Sequence, residues 1–348
     1  MPTDYQRLCS FANLYQAFRR ARRGKRGQED VAHFERNLEL ELWSLHDELI
    51  SLRYLPGPYT SFYRTEAKRR LISAAPFRDR VVHHALVAVI EPRFERCFIY
   101  DSYANRVGKG VHRALDRCTQ YLRSSQYVLP CDVRQFFPSI DHAILRAQLA
   151  RRVQDEQVLW LSDRILETGV GVLDEMYEMV WFPGDDLLAA NRSRGLPLGN
   201  LTSQFWANVY LDPFDQFVKR QLKCRRYVRY VDDFLLFADD KPTLRAWREQ
   251  IIAFLGSLRL ILHEERAQAR PVTEGLPFLG FVVYPDHRRL KPRSGRAFRR
   301  RLAVLAQAYH AGRIDRARLD ASVRGWVAHV AHGDTWGLRR AVFRSVGL

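Results

Sequence analysis

The sequence contains no long apolar run. Residues 86–90 and 251–262 come closest, and Arg259 interrupts the second of them. A helix that spans a membrane needs about 20 apolar residues. The N-terminal residues MPTDYQRLCSFANLYQAFRR also lack the basic start and apolar centre of a secretory signal peptide. These absences predict a cytoplasmic protein without a membrane partner.

Cysteine is scarce and shows no pattern. The five cysteines are odd in number, lie far apart and form no CxxC pair; they are Cys9, Cys97, Cys118, Cys131 and Cys224. This spacing supports neither a disulfide framework nor a zinc knuckle. We expect the reduced thiols of a cytosolic protein.

Acidic side chains are outnumbered. The chain has 39 Asp and Glu against 56 Lys and Arg, which gives a net charge of +17 and an isoelectric point near 10.0. Such an excess predicts a polyanionic partner, with nucleic acid favoured over an acidic membrane.

The excess charge is concentrated at the C-terminal end. Residues 288–348 hold 15 Lys or Arg and three Asp, so +12 of the net charge lies there. Their apolar residues recur at helical spacing, so we expect basic helices that grip a phosphate backbone. A second basic cluster, residues 19–26, fits a nucleic-acid contact or a solvated linker equally well.

The 348 residues suffice for two or three domain-sized units or one multi-lobed body, and 47% of them are hydrophobic, enough for a sizeable core. Patterning predicts strands at 61–64 and 70–73 and a helix at 78–98. From residue 127 the predicted order is strand 127–131, helices to 168, helix 203–222, strand 227–231, a turn at Asp232–Asp233, strand 234–237, helix 243–258 and strand 260–263. This is the order of the ferredoxin-like split βαβ unit. One further strand is predicted at 278–284.

Two acidic segments carry the chemistry. In RYVRYVDDFLLFAD (226–239), apolar runs flank Asp232 and Asp233, and this pattern fits either a plain hairpin turn or a metal site at the hairpin tip. In VLPCDVRQFFPSIDH (128–142), Asp132 ends an apolar run. A ferredoxin-like sheet allows the first strand to lie beside that hairpin, which would bring the three carboxylates together. Their repulsion is relieved by hard cations, and a pair of Mg²⁺ ions supports in-line phosphoryl transfer. The sequence therefore predicts a nucleotidyltransferase.

Six segments in order resemble the motifs of reverse transcriptases. They are KRRLISAAPFRDRVVHHAL (68–86), SYANRVGKGVHRA (102–114), CDVRQFFPSIDH (131–142), GLPLGNLTSQFWANVYLDPFD (195–215), YVDD (230–233) and FLGF (278–281). The resemblance runs from about residue 57 to 289. It implies an α+β right-hand polymerase with an N-terminal helical region and fingers (1–125), a ferredoxin-like palm (126–286) and a basic helical thumb (287–348). It also implies an RNA-directed DNA polymerase that uses two Mg²⁺ ions, or Mn²⁺, with template RNA, a cDNA or primer strand and deoxynucleoside triphosphates as partners.

The same resemblance implies a role for individual residues. Asp132, Asp232 and Asp233 would be catalytic and bind metal together with the Val133 carbonyl, and Phe137 would exclude a ribose 2′-hydroxyl unless it is a core aromatic. Lys68 and Arg70 would hold the triphosphate, or else form an exposed basic strand. The expected nucleotide-binding residues are Lys68, Arg70, Phe137, Leu198, Gly199 and Gln204. The expected template- and primer-binding residues are Arg106, Lys109, Asn200, Ser203, Tyr230, Phe278, Leu279 and Gly280. For Asn200 and Ser203, helix capping is the alternative.

The chain departs from the common pattern of this family at three places. Leu198 and Gln204 stand where many members have Gln and Pro, and the form LGNLTSQ resembles enzymes of diversity-generating retroelements. That resemblance implies low fidelity at template adenines and a small basic accessory variability protein as a partner. Arg266 stands nearest to the place of the usual proton-donating Lys, and arginine is a poor acid because its guanidinium stays protonated in proteins.

Other roles remain open at this point. An antiphage defence reverse transcriptase with a noncoding RNA is the main alternative, and a non-catalytic RNA-binding scaffold is the alternative from another class. A group II intron maturase is disfavoured because no sequence follows Leu348, and a retron enzyme because no VTG or NAxxH element is found.

Overall fold

The computed structural model describes residues 2–65 and 69–345, which form a mixed helical and sheet structure. The helices are α1 (Asp4–Cys9), α2 (Phe11–Ala21), α3 (Glu29–Arg36), α4 (Leu38–Ile50), α5 (Phe77–Glu95), α6 (Val111–Arg123), α7 (Phe136–Ser139), α8 (His142–Ala150), α9 (Glu156–Glu167), α10 (Leu201–Gln216), α11 (Lys241–Ser257), α12 (Pro292–His310), α13 (Arg316–Val330) and α14 (Trp336–Arg344). The strands are β1 (Thr60–Thr65), β2 (Arg69–Ala74), β3 (Tyr127–Arg134), β4 (Tyr227–Tyr230), β5 (Asp233–Ala238), β6 (Ile261–Leu262), β7 (Arg270–Pro271), β8 (Leu276–Phe278), β9 (Phe281–Val283) and β10 (Arg288–Leu290).

The central sheet has the strand order β4-β5-β3-β6, and β7 pairs with β3. All of these pairings are antiparallel. Read from the other edge, this is the ferredoxin-like arrangement, so the predicted strand order is confirmed. Strand β3 lies between β5 and β6, and this central place puts Asp132 next to the YVDD hairpin.

The sheet is the middle layer between two hydrophobic cores. Alternate side chains of a strand point to opposite faces, and Leu129 and Leu236 enter one core while Val128 and Leu235 enter the other. The first core contains α8–α11 and the N-terminal helices; the second contains α6, the strands β8–β10 and the C-terminal helices. Because both faces of the sheet are covered, residues 234–238 of β5 form a continuous apolar run.

Two hairpin turns differ from the predicted elements. The first lies at Val231–Asp232, because Tyr230 pairs with Asp233 and Asp233 already belongs to β5. The second divides the strand predicted at 278–284 into β8 and β9, with Phe278 paired to Phe281. Its central residues, Leu279 and Gly280, have φ of 43° and 89°, as a type I′ hairpin turn requires.

The N-terminal helices α1–α3 pack on α5, α4 packs on α1–α3, and β1 and β2 form a separate hairpin. Thr65 pairs with Arg69 at the end of that hairpin. Lys68, a predicted triphosphate contact, lies outside the described residues. Arg70 is exposed on β2, opposite Arg64.

The C-terminal helices α12–α14 pack against β8–β10 around Phe298, whose ring stacks on Trp326 with 4.1 Å between centroids. Strand β10 begins just past the predicted palm–thumb boundary at residue 286 and pairs with β9. In residues 2–65 and 69–345, no helix is long and apolar enough to cross a membrane. All five cysteines are free thiols.

Candidate active site

Asp132 and Asp233 face each other at one end of the central sheet. They are directly paired in the antiparallel register of β3 and β5, so their side chains lie on the same face with Cβ atoms about 5 Å apart. The two carboxyls are close enough to repel each other. Asp232 precedes Asp233 in the hairpin turn. The structure therefore brings the three predicted carboxylates together at the mouth of one hairpin.

The pKa of the Asp233 carboxyl is raised well above its ordinary value. Loss of hydration among the surrounding protein atoms is the largest cause, and repulsion from Asp232 and Asp132 follows. Lys291 acts in the opposite direction. The Asp233 side chain nevertheless contacts solvent, so a cation in solution has access to it.

The donor set fits a hard cation. Three carboxylates that repel one another are stabilised by a divalent ion with oxygen ligands. In the described part of the chain, no three His, Cys, Asp or Glu side chains are arranged to hold an ion as they stand. The Arg266 Nη1 lies 3.2 Å from the Asp132 Oδ2 and offsets part of the charge. Because Arg266 is 59% exposed, this ion pair is weak and a cation can displace it.

The turn that carries Asp232 has a strained backbone. Val231 has φ of 58°, whereas Asp232 does not have a positive φ, which is the pattern of a type II′ turn. A β-branched residue rarely adopts the left-handed region, and such strain costs about 1–3 kcal/mol where surrounding contacts enforce it. The Val231 carbonyl is held by a hydrogen bond of 3.0 Å from the Arg229 Nη1.

Arg229 is fully buried and forms an ion pair with Asp215 on α10. Its five N–H donors have five acceptors: the two Asp215 oxygens at 2.7 and 2.6 Å, the Asn208 Oδ1 at 3.2 Å, the Ser102 Oγ at 3.1 Å and the Val231 oxygen. Sequence reasoning missed this network. Its only sequence signal is a charged residue inside an apolar strand pattern, since the side chains that bind Arg229 are 14 to 127 residues away.

Phe137 is half-buried in the short helix α7 and packs against Phe136 with 5.3 Å between ring centroids. The segment 195–204 lies beside it, because the Leu196 N–H donates to the Phe137 carbonyl at 2.9 Å. Of the predicted nucleotide-binding residues in that segment, Gly199 and Gln204 are exposed and Leu198 is half-buried. The exposed surface of these three residues is accessible to a substrate.

Asn200 and Ser203 form hydrogen bonds within the protein. Both are buried. The Asn200 side chain accepts from the Ala75 N–H at 3.1 Å and donates to the Ser73 and Pro197 carbonyls, while Ser203 donates to Pro197 at 2.7 Å. Asn200 fastens the loop to β2 at Ser73, Ser203 bonds within the loop, and their role in template or primer binding stays a prediction. The capping alternative is not met for Asn200, since its side chain forms no cap hydrogen bond.

Arg106 and Lys109 are also engaged within the protein. The Arg106 side chain is 6% exposed; it binds Glu95 and donates to two backbone carbonyls. The Lys109 Nζ donates to the Tyr100 carbonyl at 2.7 Å and lies 3.3 Å from the centre of the Tyr100 ring. These contacts close the loop 100–110, and the role of Arg106 and Lys109 in template or primer binding stays a prediction.

Of the remaining predicted residues, Tyr230 lies next to the carboxylates, paired with Asp233. Tyr230 ends β4 directly before the turn and is half-buried. Phe278 is buried, and Leu279 and Gly280 form the turn of its hairpin. The Lys291 N–H donates to the Gly280 carbonyl at 3.0 Å. Lys291 thereby links this turn to the charge environment of Asp233, a link that sequence reasoning did not find.

Known proteins resemble this chain in sequence and fold. A family model described as reverse transcriptase (RNA-dependent DNA polymerase) matches residues 63–283. Protein YkfC of Escherichia coli (strain K12) is 27% identical over 300 residues, covering 74% of this chain and 73% of its own. The group II intron-encoded protein LtrA of Lactococcus lactis subsp. cremoris is 21% identical over 315 residues, covering 72% of this chain and 50% of its own.

A solved structure of telomerase from Candida albicans with a fragment of telomeric RNA has a TM-score of 0.50 at 11% identity, covering 88% of this chain and 58% of that one. The similarity supports a right-hand polymerase-like fold. The matched family model covers well over half of the chain and includes all three carboxylates. The chain belongs to the reverse transcriptase family.

Proposed function

We propose that the protein extends a DNA primer along an RNA template, with catalysis at Asp132, Asp232 and Asp233. The observation that carries this proposal is the pairing of Asp132 with Asp233 beside the strained turn. Crowded carboxylates with a raised pKa are typical of functional sites. In this proposal residues 1–125 form the N-terminal region and fingers, 126–286 the palm and 287–348 the thumb.

The three carboxylates and the Val133 carbonyl would hold two Mg²⁺ ions. When bound, such ions activate a hydroxyl and stabilise the departing oxygen in an in-line displacement. Phe137 would exclude a 2′-hydroxyl, because its half-buried ring is fixed against Phe136. Exposed Arg70 would bind triphosphate oxygens through its paired donors, and Lys68 stays a prediction of the same kind.

Primer extension on a defined RNA template tests the proposal. Wild-type protein should incorporate deoxynucleotides only when Mg²⁺ or Mn²⁺ is present. Asp132→Asn and Asp232→Asn should each lower the rate by at least about 100-fold, because a neutral amide removes a metal ligand. Glu249→Gln, at an exposed position of α11, is the matched control and should retain the wild-type rate. Metal-independent extension, or an active Asp232→Asn, would refute the assignment.

We further propose that the protein copies its template with low fidelity, in the manner of a diversity-generating retroelement enzyme. Leu198 supports this, because an apolar side chain beside exposed Gly199 offers no hydrogen bond to the nascent pair. Leu198→Gln should then lower misincorporation opposite template adenine, measured by sequencing products from one template. An unchanged error spectrum would contradict this role for Leu198. A small basic accessory protein belongs to the same proposal.

A defence role with a dedicated noncoding RNA is the second candidate, and the intron-encoded relatives make a group II intron-type RNA a third. A non-catalytic scaffold would bind RNA without extending a primer. Sequencing the RNA and cDNA that co-purify with the protein separates these roles. Substitutions scattered at template adenines would support diversification, repetitive or fixed products would support defence, and intron sequence would support the third.

A further inference from the structure

The hairpin that carries Asp232 and Asp233 is fastened inside the protein by a side chain that the catalytic proposal does not use. Arg229 lies on β4, two residues before Val231, and its guanidinium is fully buried. One of its five hydrogen bonds reaches forward to the Val231 carbonyl. The other four end on α10 and on the loop that follows α5, at Asp215, Asn208 and Ser102.

The partners of Arg229 are themselves fixed. The Tyr227 hydroxyl donates to the Asp215 Oδ1 at 2.8 Å, and the Asn208 amide donates to the Ala104 carbonyl at 2.9 Å. The Arg229 backbone also accepts from the Tyr103 N–H and donates to the Asp101 carbonyl, both at 2.9 Å. The guanidinium therefore connects the turn to a rigid surrounding of helix, strand and loop.

The turn requires such a connection. Val231 holds a left-handed conformation that its β-branched side chain disfavours, and a strained residue persists only where neighbouring contacts enforce it. Asp232 and Asp233 follow directly. A small rotation at Val231 would change the distance between the Asp233 and Asp132 carboxyls, and displacements near 1 Å can cost about 100-fold in rate.

We propose that Arg229 is a positioning residue that sets the catalytic geometry of the YVDD turn through its hydrogen bond to the Val231 carbonyl. The inference rests on the proposed polymerase function. The planar fork of arginine is needed because it binds the Asp215 carboxylate and the turn at the same time. Lysine has three donors on one atom; it can keep the ion pair with Asp215 but cannot also reach the turn.

The test compares variants that affect the turn with variants that affect only its support. Arg229→Lys should lower the single-turnover rate of nucleotide addition by about 10–100-fold and raise the Mg²⁺ concentration for half-maximal rate. The half-saturating deoxynucleotide concentration and template–primer affinity should change by less than about threefold. Ser102→Ala and Tyr227→Phe each remove one hydrogen bond from the network but leave the Val231 bond, and should stay within about threefold of wild type.

A second readout does not depend on activity. Amide hydrogen exchange of a peptide covering residues 227–236 should be faster in Arg229→Lys without added metal, while peptides from α8 and α9 exchange at the wild-type rate. Asp215→Asn keeps the shape of the side chain that binds Arg229 but removes its charge. This variant replaces Arg229→Lys in the test if Arg229→Lys does not fold. It should show the same changes at a smaller amplitude.

Two outcomes would overturn the proposal. Wild-type kinetics and exchange in a folded Arg229→Lys or Asp215→Asn protein would show that the turn is fixed by other contacts. Equal rate losses in Ser102→Ala and Arg229→Lys would show a general loss of stability. If the wild-type protein extends no primer, the polymerase proposal fails, and exchange at the turn still decides whether Arg229 positions it.

Discussion

Gly199 and Val231 both hold left-handed backbone conformations next to the candidate site, at φ of 121° and 58°. Glycine adopts such conformations readily, whereas valine, which is β-branched, rarely does. A Cβ on Gly199 would lie 3.0 Å from the Ile72 Cγ2 and 3.4 Å from the Ser73 carbonyl oxygen. At this residue the polymerase motif 195–204 touches the β1–β2 hairpin, so the glycine permits both the turn and the close approach.

Gly199→Ala should therefore lower the free energy of unfolding by about 1–3 kcal/mol, because the new methyl group adds backbone strain and a clash with Ile72. Gly256→Ala is the matched control: Gly256 lies in α11 with no atom within 4 Å of its added Cβ. That substitution should raise stability by about 0.5–1 kcal/mol. Urea denaturation measures both, and shifts of the same sign would contradict the close-approach argument.

At the scale of elements, the sequence predicted the ferredoxin-like strand order correctly because long apolar runs and their spacing carry that information. It misplaced the two hairpin turns. Valine at a left-handed position and Leu-Gly as a type I′ turn are poor local signals. Pairing across the sheet, which no local pattern reports, determines these turns.

Helix α5 carries two histidines whose protonation opposes folding. Burial lowers the pKa of His83 from 6.5 to about 3, helped by the charges of His84 and Arg80. Burial, then Lys25 and Arg20, lowers the pKa of His84 to about 4. Below pH 6.5 the unfolded chain therefore binds protons that the folded protein does not. Stability from these groups is complete above pH 6.5 and declines as the pH falls toward their folded values.

We expect the free energy of unfolding to fall by up to about 1 kcal/mol per pH unit for each histidine between pH 6 and pH 4.5. His84→Gln should reduce that slope, and His33→Gln, at an exposed position of α3, should leave it unchanged. Urea titrations at several pH values provide the measurement. A slope that His84→Gln does not alter would show that other groups govern the acid response.

Across the whole molecule, the sequence identified the carboxylates that meet at one end of the sheet, but it was less informative about residues that hold the loops. Asp132 and Asp233 stand out because they are acidic residues that border apolar runs of the sequence. Asn200 and Arg106 have the side chains that a nucleic-acid contact needs, and only the structure shows their hydrogen bonds consumed at Ser73 and Glu95. Burial and long-range partners distinguish the two cases, and neither is visible in one sequence.

The basic helix α12 should dominate the salt dependence of template–primer binding. Arg293, Arg296 and Arg300 are exposed on it. Replacing all three with glutamine should reduce the slope of log affinity against log salt concentration. The slope should fall by about 0.7–0.9 for each phosphate contact that is lost. The rate at saturating template–primer should not change. The control is a double variant, Arg36→Gln with Arg245→Gln, at exposed positions of α3 and α11. An equally shallow slope in the control would assign the effect to net charge alone.

Lys291 connects the basic helix α12 to the surroundings of Asp233. It directly precedes α12, its N–H is bonded to the Gly280 carbonyl, and its ammonium group counters the raised pKa of Asp233. A rotation of the basic helix about this residue would move a positive charge relative to the acidic centre. In the proposed polymerase, Lys291 would therefore couple duplex contacts of α12 to the electric field at Asp233.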